Sequence, residues 1–125
     1  ITLSDPDQED NPIVYANKAF EQITGYSKEE TVGRNCRFLH DQAKDQEELQ
    51  PIRDAVKNAK PVEVTLKNFR KNGELFYNRL SITPLFDTEG HLIYFLGVQY
   101  DVTEQILAQQ EIKKLTDALN TLQNQ

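Results

Sequence analysis

Three runs between Val62 and Tyr100 constrain this chain most, because each alternates apolar and polar residues and two turn sequences join them end to end. The runs are Val62 to Phe69, Leu75 to Pro84 and His91 to Tyr100, with Lys71-Asn72-Gly73 and Asp87-Thr88-Glu89-Gly90 between them. Joints this short carrying glycine are hairpin turns, so the three strands must be antiparallel neighbours. Upstream, ITLS and IVYA are short β-rich runs separated by the turn-rich DPDQEDNP. Asn17 is placed to cap a helix over NKAFEQIT that Gly25 closes, and Ser27 with Glu30 forms a capping box before a second short helix. Leu49, Ile52 and Val56 recur on one face of a longer helical pattern from Asp45 to Ala59, with Pro51 near its first turn. The order predicts an α+β domain: a five-stranded antiparallel sheet with short helices on one face, followed by a C-terminal helix from Thr103.

Composition excludes several functions. With 125 residues, 38% apolar, the chain is long enough for one domain with a core. Twenty acidic residues against 14 basic give a net charge of −6, which argues against a nucleic-acid partner. No apolar run approaches a membrane span, and a single cysteine forms no internal disulfide, so a cytoplasmic protein without a membrane partner is expected. The missing initiator Met suggests a piece of a larger protein.

Strand parity then singles out three amides. Val62, Val64, Leu66 and Asn68 share one face, as do Phe76, Asn78, Leu80 and Ile82, and as do Ile93, Phe95, Gly97 and Gln99. A buried amide without partners costs about 1–3 kcal/mol, so three on adjacent strands need something to bond. Gly97 lets a group approach the backbone. Together they describe an apolar slot with a polar edge, suited to a flat heteroaromatic ring. The alternative is that these amides merely end half-buried strands in solvent.

Arg37 and Arg53 each lie beside apolar residues that should face the core, and paired guanidiniums grip phosphate well. Solvated surface arginines are the competing reading. The lone thiol, in GRNCRFLH, has three readings. Cys36 is a small buried hydrophobe; or it pairs with His40, four residues on, as nucleophile and base or as metal ligands; or it faces the ring and reacts with it. No metal site is expected, since the only other histidine is His91 and no second cysteine exists.

The segment GRNCRFLH resembles the cysteine signature of LOV domains, the flavin-binding blue-light sensors of the PAS superfamily. The likeness extends through ITLSDP, DNPIVYANKAFEQITGYS, IRDAV, LKNFRKNGELFYNRLSITP and FLGVQYDVTE. It implies a PAS fold over residues 1–102 and FMN as cofactor, within a multidomain bacterial-type photoreceptor. Blue light would drive a reversible bond between the Cys36 thiol and flavin carbon 4a. By position, Asn35, Arg37 and Arg53, with Asn11 and Ser4 nearby, match residues that hold the ribityl and phosphate groups. Asn68, Asn78 and Gln99 match those bonding the ring edge. Leu39, Leu49, Ile52, Val56, Leu66, Leu80, Ile82, Phe95 and Gly97 match the apolar lining. Gln99 is also the expected switch, because an amide can turn over when flavin nitrogen 5 gains a proton. His40 stands where the family usually has glutamine, and Ser4 where threonine is common; His40 is therefore a candidate ribityl contact or recovery base. Glu30 and Lys71 match a surface ion pair of relatives.

Beyond DVTE, residues 103–125 are expected to form a linker helix. Ala108, Ile112, Leu115, Leu119 and Leu122 repeat at alternating spacings of four and three, a coiled-coil period. The expectation is a homodimer through this helix, leading to a C-terminal effector such as a kinase, with the sensor itself catalysing no turnover. A helix folded back on its own sheet is the alternative. A PAS module that only binds another small ligand or dimerises, and a cysteine-dependent enzyme, are the rival functions.

Overall fold

A computed structural model describes residues 1–124, Gln42 by its backbone alone; Gln125, the last residue of the expected linker helix, lies outside the described residues. Five strands, β1 (Thr2–Ser4), β2 (Ile13–Ala16), β3 (Val62–Phe69), β4 (Leu75–Phe86) and β5 (Leu92–Asp101), form one sheet in the order β2-β1-β5-β4-β3, every neighbouring pair antiparallel. The two hairpins therefore sit where the turn sequences place them, with Gly73 and Gly90 at φ 87° and 86°. The chain between β2 and β3 carries α1 (Lys18–Thr24), α2 (Lys28–Thr31) and α3 (Leu49–Lys57), with short 3₁₀ turns at Cys36–Leu39 and Asp41–Ala43.

Local chemistry fixes the helix ends. Asn17 accepts from the Phe20 amide at 3.1 Å, Gly25 closes α1 in the left-handed region at φ 78°, and the Ser27–Glu30 capping box is complete. Helix α3 begins at Leu49, four residues later than the periodicity predicted. The Gln46 side chain is the physical reason: its amide pairs with both the N–H and the C=O of Lys67, each at 2.9 Å, tying the preceding segment to the edge of β3 as a loop. Pro51 then falls in the first turn, where its missing N–H costs nothing.

Two apolar clusters form the core. Leu49, Leu66, Leu80, Ile82 and Phe95 join α3 to the sheet, while Ile13, Ala16, Phe20 and Leu39 gather at β2 and α1. Burying each large side chain stabilises the fold by about 1.5–3 kcal/mol. The expected position of Ile93 beside Phe95 is not kept, since Ile93 is exposed near the β5 end next to a register shift.

Helix α4 (Thr103–Gln123) leaves the sheet at β5. The Asp101 carboxylate accepts from the Thr103 amide at 3.0 Å, the Val102 amide donates to Tyr77 O at 2.9 Å, and the Tyr77 amide donates to the Thr103 hydroxyl at 3.0 Å. Arg70 reaches Asp101 at 2.7 Å from above the Phe76 ring, so the β3–β4 hairpin grips the start of α4. Past Ile106 the helix is exposed on every side, so it does not fold back on its own sheet.

Candidate functional site

Between the helices and the sheet lies a cavity of about 1040 Å³ walled by both core clusters. Every site residue named from the sequence, from Ser4 to Gln99, lines it, with Cys36, Arg37, His40 and Arg53 among them. The sheet register explains the gathering. Leu66 pairs with Asn78, Leu80 with Gln99, Ile82 with Gly97, and Gly97 with Thr2, so alternate residues of four strands face the cavity together.

The amides are not strand ends in solvent. Asn68 and Asn78 are 1% and 2% exposed, and Asn78 Nδ2 donates to Asn68 Oδ1 at 3.0 Å. Gln99 Nε2 donates to the Thr2 hydroxyl at 3.1 Å. Asn78 Oδ1, Gln99 Oε1 and Asn11 Oδ1 are buried with no hydrogen-bond partner among the described residues. Three orphaned acceptors around one cavity are matched by a ligand that brings donors. A Cβ at Gly97 would lie 2.5 Å from the Thr2 hydroxyl and 3.1 Å from Gln99 Nε2, so only glycine leaves this part of the wall open.

The cysteine segment is pinned from both ends. Gly33 N–H donates to Ile13 O and Ile13 N–H donates to Arg34 O, each at 2.8 Å, fixing its start against β2. Asn35 Oδ1 accepts from the Arg37 amide at 3.0 Å, and Asn35 Nδ2 donates to Asp10 O at 2.7 Å. Phe38 packs edge-on against Tyr26 with centroids 5.0 Å apart. Cys36 lines the cavity, where desolvation by the surrounding protein raises its thiol pKa, so it stays protonated at neutral pH. A protonated thiol is a poor nucleophile in the dark, which weighs against a cysteine hydrolase.

The cavity is also lined by charge. Arg34, Arg37, Lys44, Arg53 and Lys57 line the cavity against Asp10 and Asp41, in a chain of net charge −6. His40 lies among them: burial, then Arg53 and Arg37, lower its pKa to about 4, so its imidazole is neutral at pH 7. Glu30 and Lys71 do form the expected ion pair, at 2.7 Å, on the surface.

Sequence reasoning missed Thr2 and Asp10. Thr2 was recoverable, because it lies two residues from Ser4 and so on the same strand face. Asp10 acts through the shape of its loop, with Asp10 and Asn11 at φ 68° and 48°, and no sequence pattern announces that.

The chain is similar to known proteins over most of its length. The PAS domain family model matches residues 1–104. The blue-light photoreceptor of Listeria innocua is 46% identical over 114 residues, covering 91% of this chain and 45% of that protein, so the chain spans about half of that relative. Among solved structures, an RNA-binding light-oxygen-voltage receptor superposes with a TM-score of 0.86 at 36% identity, over 99% of this chain and 34% of that one. The LOV domain of the Erythrobacter litoralis blue-light-activated histidine kinase gives 0.77 at 43% identity, over 82% of this chain and 94% of that one. By family match and by likeness to a complete solved domain, the chain belongs to the PAS domain family and, within it, to the LOV domains.

Proposed function

We propose that this chain is the blue-light sensor of a larger receptor, that it holds FMN in the cavity, and that Cys36 bonds reversibly to the flavin under light. The observation that carries the reading is the set of orphaned acceptors on Asn78, Gln99 and Asn11 in a cavity also lined by arginine and lysine. A flavin has ring-edge donors and acceptors for the first and, as FMN, a phosphate for the second. Bound flavin would supply the absorption of blue light and a reactive ring partner for the Cys36 thiol, in a reaction that would reverse in darkness.

The protein's own part is positional. Asn68 and Asn78 hold each other and fix the ring edge, while Leu66, Leu80, Ile82 and Phe95 exclude water from its faces. Arg37 and Arg53 hold the phosphate, with Asn35, Asn11 and Ser4 along the ribityl chain. Leu39, Leu49, Ile52 and Val56 complete the apolar wall. Cys36 stays a neutral thiol until the excited ring meets it, so a depressed pKa is not needed. His40, neutral beside two arginines, contributes a hydrogen bond at the ribityl end. Gln99 reports the change: its strand runs on to Asp101, whose carboxylate accepts from the Thr103 amide at the start of α4.

Residues 1–102 are the sensor in this reading, and the helix from residue 103 is a linker that pairs with its copy in a homodimer and leads to an effector. The exposed row Ile112, Leu115, Leu119 and Leu122 supports the pairing, each at least half exposed in the single chain. No helix among the described residues is long and apolar enough to cross a membrane. We place the receptor in the cytoplasm, where a lone thiol stays reduced. With a charge of −6, this domain is not proposed to contact nucleic acid; the RNA-binding neighbour shares only about a third of its length with it. The direct test is chromatography and mass determination of the pigment released by denaturing the purified protein. FMN is expected; a colourless protein would favour a PAS module without photochemistry.

A further inference from the structure

Asp10 stands in the cavity wall, and its carboxylate contacts the Arg37 guanidinium, the group the flavin reading assigns to phosphate. Two successive left-handed residues, Asp10 and Asn11, turn the loop so that it meets the cysteine segment. Asn35 Nδ2 holds Asp10 O at 2.7 Å while Asn35 Oδ1 holds the Arg37 amide at 3.0 Å, so one side chain sets the spacing of the pair. Asp10 and Arg37 side chains are 52% and 59% exposed, which makes their attraction weak and exchangeable. Arg53, on the same cavity, makes no ion pair among the described residues.

From this geometry we infer that Asp10 is a specificity-determining residue: it is the counter-ion that a ligand's phosphate must displace from Arg37, and it therefore sets how strongly the cavity prefers a phosphorylated flavin to riboflavin. The inference rests on the flavin reading. A phosphate dianion can accept from both guanidinium edges and outcompetes one exposed carboxylate, but breaking the Asp10–Arg37 pair offsets part of that gain. The cavity is thus tuned below its greatest affinity for phosphate. Riboflavin carries no charge there and leaves the Asp10–Arg37 pair intact.

The test is competition of FMN and riboflavin for the chain, with bound flavins released and quantified, in wild type, Asp10→Asn, Arg37→Ala and the double variant. Asparagine keeps the size and tolerates the left-handed backbone, so the loop is retained. Removing the carboxylate is expected to raise the FMN-to-riboflavin preference roughly two- to fivefold. The same change made in Arg37→Ala should have a clearly smaller effect, and the gain in Asp10→Asn should shrink as salt rises. An unchanged preference in Asp10→Asn, a fall, or an equal gain with and without Arg37 would overturn the inference while leaving the flavin reading standing. Failure of wild type to bind either flavin would overturn that reading, and this inference with it.

Discussion

Gln99 donates through Nε2 to the Thr2 hydroxyl at 3.1 Å while the oxygen of the same amide is buried without a partner among the described residues. A hydroxyl can both donate and accept, so Thr2 can serve either orientation of that amide. The pair is therefore a two-state element at β5, two residues before the aspartate that bonds the first amide of α4. In Gln99→Leu, blue-light bleaching should persist while light-driven changes in α4, followed by circular dichroism or hydrogen exchange, weaken. Thr2→Val should blunt the same response, because it leaves both orientations unpaired. An unaltered α4 response in Gln99→Leu would remove Gln99 from the signal.

Gly97 marks how closely this pair fills its space. In Gly97→Ala the added methyl meets the Thr2 hydroxyl, and overpacking of this kind should destabilise the fold by about 1–3 kcal/mol in urea unfolding. Thr2→Ala removes the obstructing atom, so the double variant should recover part of the loss. A purely additive double variant would mean that the clash lies elsewhere.

His40 has a pKa lowered to about 4 by burial and by the two arginines. The unfolded chain then binds more protons than the folded one below the ordinary histidine value, so stability from this group is full above pH 6.5 and is lost as pH falls toward 4. His40→Gln should flatten that part of the melting-temperature profile. It should leave the pH dependence of dark recovery unchanged between pH 6 and 8, where the imidazole is already neutral. A recovery rate that titrates in that range and ceases to do so in His40→Gln would restore His40 as a base.

The cavity was legible in the strands because period-two alternation assigns faces without knowledge of the fold. Asn68, Asn78 and Gln99 follow from that parity, and the register then sets them side by side. What parity cannot provide is the far wall. Asp10 depends on two residues of positive φ, and the late start of α3 depends on Gln46 bonding β3, twenty-one residues away in sequence. Thr2 follows from the same parity, since it lies two residues from Ser4 in β1.

Helix α4 presents Ile112, Leu115, Leu119 and Leu122 to solvent in the single chain. Leu115→Arg places a charge in the proposed seam and should convert the dimer to monomer in light scattering, without altering flavin absorption. A dimer of undiminished strength would put the interface on another surface.

The central claim is tested most directly by the absorption spectrum of the purified protein before, during and after blue light, recorded beside that of Cys36→Ala. The wild type should be yellow, lose its blue-light band under illumination and regain it in darkness, while the variant keeps the band and its fluorescence throughout. A Cys36→Ala protein that bleaches and recovers with the same isosbestic points would contradict the account.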